Sequence, residues 1–216
     1  MQVAFLLYDR FTALDWVGPH EVLNSLPDSE CVTVAEKAGP VGNESGTIEV
    51  IAAKTLDEVS SPDIVVIPGG LGNRLLLEHE PLQEWIRDVH ETSVWTTSVC
   101  TGSLLLASSG LLDGAPATTH WLARDLLESL GAKPVPERVV EHGKIITAAG
   151  VSAGIDMALL LVQKMYGDEV AQTVQLGIEY DPQPAFDSGS PEKAPEEIVE
   201  AARAAMIAAN TSGMAR

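Results

Sequence analysis

The chain has 216 residues, 45% of them apolar, which suits one globular α/β domain spanning 1–216 and excludes global disorder. Against 31 acidic residues stand 13 basic ones, a net charge of −18, and so acidic a field repels phosphate and excludes a nucleic-acid surface. Two cysteines, Cys31 and Cys100, exclude a disulfide scaffold.

No run reaches the roughly 18–20 apolar residues that span a bilayer, so no membrane partner is expected. Residues 3–8 are too few for a signal sequence and lack a basic flank. These features predict a soluble, cytoplasmic protein. The acid excess has two readings, adaptation to high salt or plain solubility. The spread of the acids along the chain favours the first.

In chain order, residues 2–8 (QVAFLLY) predict a buried strand. Residues 13–26 carry a helical pattern punctuated by Gly18-Pro19, where proline suits a first helical position. Residues 31–35 and 46–52 read as strands, and 63–68 (DIVVIP) as a β-branched strand running into Pro68-Gly69-Gly70. A helix over 81–92 precedes a strand over 93–99 and a helix over 102–109. Residues 121–130 are helical again, 139–141 and 144–147 form a hairpin through His142-Gly143, and 154–166 is an apolar helix. Residues 180–195 are rich in Pro, Asp, Ser and Gly and read as an ordered arm before an Ala-rich helix over 196–210, with the last residues frayed. Strands alternating with helices predict a mainly parallel sheet between helical layers, with the site at the carboxyl ends of the strands, near Tyr8, Pro68 and Val99.

The sharpest chemical signal is Ser98-Val99-Cys100-Thr101-Gly102. A strand enters a helix through small–x–nucleophile–x–small, the logic of a nucleophile elbow with Cys in place of Ser. The helix behind it points free N–H groups at the sulfur and favours a thiolate. The opposing reading is a buried core cysteine at a strand end. Cys31, mid-strand, reads as core.

Pro68-Gly69-Gly70-Leu71-Gly72 directly follows the strand over 63–68, one strand before the elbow. It lacks the dinucleotide spacing, and no phosphate-binding Gly-Lys-Ser/Thr loop exists. One reading is an oxyanion-type donor pair, with one N–H at Gly70 or Leu71 and another at Thr101. The other is a plain glycine turn. Asp15, between Leu14 and Trp16, is either a buried proton donor or the fourth residue of a Thr12-x-x-Asp15 capping box. His120 is either the partner of Cys100 or a packed residue at a helix start capped by Thr118 or Thr119. Asp156, in the apolar helix, is assigned no role. The remaining histidines show no ligand spacing, so no metal and no organic cofactor is expected.

These segments resemble the DJ-1/PfpI superfamily over nearly the whole chain. Within it they look most like the isonitrile (isocyanide) hydratase group. The carrying residues are Ala13-Leu14-Asp15-Trp16-Val17-Gly18-Pro19, Ser98–Ser103, Ala117-Thr118-Thr119-His120-Trp121 and Glu179-Tyr180-Asp181-Pro182-Gln183-Pro184. The resemblance implies a flavodoxin-like three-layer α/β sandwich, a homodimer, and Cys100 at the nucleophile position. Many members place Glu beside that cysteine; here Asp15 stands at the matching motif. Thr101 follows the cysteine where protease-like members often have His, which argues against peptidase activity. The implied activity is hydration of a small organic isocyanide to an N-substituted formamide, with Cys100, Asp15 and Thr101 as the working residues and Gly70 and Leu71 holding the polar end. Two alternatives stay open: a glyoxalase- or deglycase-like enzyme acting on 2-oxoaldehydes, and a cysteine redox sensor or ligand-binding protein.

Overall fold

The computed structural model describes residues 1–214. By packing they divide into two compact units, Met1–Glu179 and a second beginning at Tyr180.

The first unit is built on eleven strands: β1 (Gln2–Leu6), β2 (Glu30–Ala35), β3 (Gly39–Gly42), β4 (Glu49–Ala52), β5 (Lys54–Thr55), β6 (Ile64–Ile67), β7 (Trp95–Val99), β8 (Pro116–Ala117), β9 (Lys133–Pro134), β10 (Val139–His142) and β11 (Ile145–Ala148). Its helices are α1 (Ala13–Leu23), α2 (Glu80–Thr92), α3 (Gly102–Ser108), α4 (Arg124–Ser129), α5 (Ala153–Tyr166) and α6 (Asp168–Gly177), with 3-10 turns at Leu56–Glu58, Leu71–Leu75 and Trp121–Ala123. Seven strands form one sheet in the order β10-β11-β7-β6-β1-β2-β5. Every pairing in it is parallel except the edge hairpin β10–β11. Two small two-stranded sheets, β3–β4 and β8–β9, lie apart from it.

Period-two alternation sends successive residues of each central strand to opposite layers. Val3 and Phe5 of β1, with Ile64 and Val66 of β6, pack with Val22 and Leu23 of α1, Met157 and Leu161 of α5 and Val174 of α6. Ala4 and Leu6, with Val65 and Ile67, pack on the other face with Leu82 and Ile86 of α2, Leu104 and Leu105 of α3 and Leu127 of α4. The unit is thus the expected three-layer flavodoxin-like sandwich, with the strands buried on both faces, as parallel strands require. Each wholly buried aliphatic side chain contributes about 1.5–3 kcal/mol.

Two local expectations are corrected. Pro19 does not open a helix; it lies inside α1, where it cannot donate to the carbonyl of Asp15 four residues back. The strand expected over 46–52 begins only at Glu49, because residues 43–48 form the turn of a β3–β4 hairpin whose first strand, Gly-Pro-Val-Gly, carries little β signal. Helix α6 carries Gly177 and polar residues along most of its length, which masked its period. Asp156 pairs with Arg138, whose Nε donates to its Oδ2 at 2.7 Å.

In the second unit, residues 180–195 hold no helix or strand, and α7 (Glu196–Met214) follows. The helix runs beyond Asn210. Residues 211–214, expected to fray, are thus helical, and Ala215 and Arg216 lie outside the described residues. Among the described residues no helix is long and apolar enough to cross a membrane.

Candidate active site

Strands β1, β6 and β7 are neighbours at the centre of the sheet, so their carboxyl ends converge. The Tyr8 hydroxyl donates to the Pro68 carbonyl at 2.7 Å and ties two of them together. Cys100, directly after β7, has φ 56°. A left-handed conformation at a residue with a Cβ costs about 1–2 kcal/mol and persists only where its surroundings over-determine it. Here they do. The Cys100 N–H is shared between the Ala148 and Ala149 carbonyls, both at 3.0 Å. Its carbonyl accepts from the hydroxyls of Thr119 at 3.0 Å and Ser103 at 3.2 Å. The elbow read from small–x–Cys–x–small is therefore present, braced by β11 and by the segment after β8.

The state of the sulfur differs from expectation. Cys100 is only 5% exposed. Burial and then the Asp15 carboxylate push its thiol well above the ordinary range, while the Val151 and Thr101 backbone N–H groups pull the other way. Helix α3 is two turns long, and its dipole does not outweigh removal of the sulfur from water. The resting group is a thiol, not a standing thiolate. Val151, whose N–H faces the sulfur, is itself at φ 39°.

Asp15 is wholly buried. The capping-box reading fails: Thr12 occupies the N-cap of α1 without a side-chain cap, and its hydroxyl donates to Glu44 Oε2 at 3.1 Å instead. Asp15 turns inward. Its Oδ2 accepts the Gly69 N–H at 2.8 Å, and Oδ1 has no well-aligned hydrogen-bond partner. The nearby Cys100 thiol, a weak donor, interacts with the carboxyl without fully satisfying it. Burial raises the Asp15 pKa to about 8; the Gly69 N–H and the thiol lower it and Glu44 raises it. Asp15 is thus a protonated acid at neutral pH, in contact with the candidate nucleophile.

The expected donor pair is rearranged. The Gly70 N–H donates to Thr101 Oγ1 at 3.0 Å, and the Leu71 N–H is held by the Glu44 carboxylate. Neither is free for a polar end of substrate. The N–H of Thr101 does face the centre, but toward the sulfur and together with Val151. The structure thus brings Cys100, Asp15, Thr101 and Gly70 together, and it ties Leu71 to the rim through Glu44. His120 is the cap of the 3-10 turn Trp121–Ala123: its Nδ1 accepts from Leu122 N at 3.3 Å, and burial lowers its pKa. The neighbour that reaches the Cys100 backbone is Thr119. Among the described residues no cluster of three His, Cys, Asp or Glu side chains is arranged to hold a metal ion.

Comparison with known proteins settles the family. The DJ-1/PfpI family profile matches residues 1–164. The chain belongs to the DJ-1/PfpI family. It is 44% identical to the isonitrile hydratase of Pseudomonas putida over 203 residues, covering 94% of this chain and 89% of that one. It is 33% identical to a helix-turn-helix type transcriptional regulator of Pseudomonas aeruginosa, spanning 79% of this chain but only 52% of the regulator. A solved ThiJ/PfpI family protein from Pseudomonas syringae superposes with a TM-score of 0.90 at 34% identity, over 99% of this chain and 89% of that chain.

Within this DJ-1/PfpI site, Asn73 and Glu44 escape the sequence reading. Buried Asn73 donates through Nδ2 to the Thr101 carbonyl at 2.7 Å and so anchors the residue after the cysteine. Its cue was slight, an Asn after a run of glycines. Gly69 is required for space: a Cβ there would stand 2.6 Å from both N and Oγ1 of Thr101 and 2.9 Å from Asp15 Oδ2. Gly69→Ala is expected to cost about 1–3 kcal/mol of stability. It should also change the rate at which Cys100 is alkylated, because Asp15 and Thr101 must both move. Chemical denaturation and iodoacetamide kinetics read the two effects; wild-type behaviour in both would show that the cradle is not tight.

Proposed function

We propose that this protein hydrates small organic isocyanides to N-substituted formamides, with Cys100 as nucleophile and Asp15 as a two-way proton carrier. One observation carries the reading: a buried carboxyl, held by the Gly69 N–H through Oδ2, lies against the Cys100 thiol, and burial favours the protonated form of both groups. The 44% identity to an isonitrile hydratase supports the choice of substrate class.

The neutral pair suits this reaction better than a free thiolate. In R–NC the terminal carbon must gain both a proton and a nucleophile. Asp15 gives its proton to that carbon and takes the thiol proton as the C–S bond forms. The product is a thioimidate, R–N=CH–S–Cys100, and Asp15 is protonated again. The Val151 and Thr101 N–H groups hold the sulfur as negative charge develops on it. Water then adds to the same carbon with a proton passing to nitrogen. The C–S bond breaks, the hydroxyl becomes the formyl oxygen, and R–NH–CHO leaves a restored thiol. The sum is R–NC + H₂O → R–NH–CHO.

The family resemblance supports a homodimer as the assembled form. Leu14 (38% exposed) and Val17 (45% exposed), which flank the site on α1, support the dimer as residues a second copy would cover.

The test exposes the wild-type protein to alkyl and aryl isocyanides, with methylglyoxal in parallel, and measures formamide release and intact mass. Formamide production, with a transient adduct on Cys100, is the expected result. Conversion of methylglyoxal to a 2-hydroxy acid without isocyanide turnover would transfer the site to the glyoxalase alternative.

A further inference from the structure

We propose that Glu44 is a positioning residue of this site, a charged clamp across its rim that sets the pH at which the Asp15–Cys100 pair gives up its first proton. The turn between β3 and β4 carries it there. Asn43 shapes that turn: its Oδ1 accepts from Thr47 N and Ile48 N, both at 3.1 Å, and its own N–H reaches Ile48 O at 2.9 Å.

The turn is laced to the strand-end loops that form the site. Arg10 N donates to Gly42 O at 2.8 Å, Glu44 N donates to Phe11 O at 3.0 Å, and Phe11 bridges to Asn43 on one side and Gly70 on the other. Thr12 N in turn donates to Gly69 O at 2.8 Å. The carboxyl of Glu44 closes this lacing by accepting from the Thr12 hydroxyl and the Leu71 N–H. Thr12 begins the helix that carries Asp15, and Leu71 follows the Gly70 that holds Thr101. One carboxylate therefore grips both segments on which the reacting pair depends.

Its charge faces inward as well. Glu44 keeps much of its surface in water, yet burial at the carboxyl end raises its pKa, with Thr12, Leu71 and the charge of Arg10 acting against the rise. The hydrogen bond from Thr12, at 3.1 Å, holds the carboxyl against the protein, with the Leu71 N–H beside it, while the stem stays in water. The titratable groups facing it are Asp15, Cys100 and Tyr8, and Glu44 raises the pKa of each. Arg10 is its one cationic neighbour in that set. For Asp15 and Cys100 the effect of Glu44 ranks below burial, and it is partly screened by solvent, so a modest displacement is expected. The direction is fixed: a negative neighbour disfavours loss of a proton from the pair.

The test compares wild type, Glu44→Gln and Glu44→Asp. Glutamine keeps an acceptor for Thr12 and Leu71 and removes the charge; aspartate keeps the charge. Iodoacetamide alkylation of Cys100 is followed across pH by peptide mass, so that Cys31 is counted separately. Glu44→Gln should displace the profile to lower pH and speed alkylation about threefold at neutral pH. Glu44→Asp should stay near wild type. The kcat/KM profile for an isocyanide should shift the same way; that arm rests on the hydratase reading, whereas the alkylation arm does not. A Glu44→Gln profile lying on the wild-type curve would overturn the proposal, as would equal shifts in both variants, since geometry alone would then be acting. A displaced alkylation profile in a protein that leaves isocyanides untouched would uphold the clamp and overturn the hydratase reading.

Discussion

Cys100→Ala is expected to lower isocyanide turnover by about four orders of magnitude or more, since removing a covalent nucleophile leaves only binding and dipoles to act. The fold should survive. Alanine at φ 56° bears the same backbone cost as cysteine, and the four hydrogen bonds that brace the elbow all use main-chain atoms of residue 100. Cys100→Ser refines the result. A hydroxyl ionises far less readily than a thiol, and Asp15 would have to remove a much less acidic proton, so this variant should be nearly as slow. Formamide release under saturating substrate, with circular dichroism to confirm folding, is the measurement. Turnover within tenfold of wild type in the alanine variant would remove the sulfur from the reaction and the proposed function with it.

Asp15→Asn is expected to cost about 10²–10⁴ in kcat/KM, the usual worth of a positioned acid–base group. Asparagine keeps an oxygen for the Gly69 N–H, so the loss reads proton transfer and not collapse of the turn. The wild-type rate should hold through neutral pH and fall as pH rises past about 8, where Asp15 ionises. A stability effect follows from the same group. Its folded pKa lies above its value in the unfolded chain, so the unfolded state releases the proton first as pH rises. The stability that the neutral carboxyl permits is complete below about pH 4 and is lost progressively up to about pH 8. The asparagine side chain, which does not titrate, carries no such dependence. The melting temperature of Asp15→Asn relative to wild type should therefore climb between acid and mildly alkaline pH, by an amount equivalent to a few kcal/mol. Parallel melting curves at every pH would mean that Asp15 is not held neutral.

The two residues differ in how far local pattern could carry them. Cys100 was legible because a nucleophile elbow is a local object: strand, small residue, nucleophile, small residue, helix all lie within a few positions. Its protonation was not legible, because desolvation depends on what covers the sulfur. Asp15 was ambiguous for a related reason. Thr12-x-x-Asp15 satisfies a capping box as written, and only a partner 54 residues away, the Gly69 N–H, turns the carboxyl inward. His120 went the other way: the helix start was read correctly, but the cap is His120 itself and not Thr118 or Thr119, and its hydrogen bond goes to Leu122 N.

The donor pair shows a second kind of failure. Glycines after β6 do bring backbone amides to the site, as read. Whether those amides stay free depends on side chains from other segments, and Thr101 and Glu44 occupy them. Glu44 itself lies in a turn whose first strand, Gly-Pro-Val-Gly, hardly announces a strand at all.

What amino-acid order determined alone is whatever short-range sterics and periodicity encode: β-branched runs buried on both faces, the alternation that yields a parallel sandwich, the small residues that permit Cys100 its left-handed backbone, and an acidic surface. What required the folded chain is everything set by distance through space. Proton affinity, amide occupancy and the direction in which a carboxyl points are fixed by burial and by partners tens of residues away, and Coulomb energy and desolvation take no account of how far apart along the chain their sources lie.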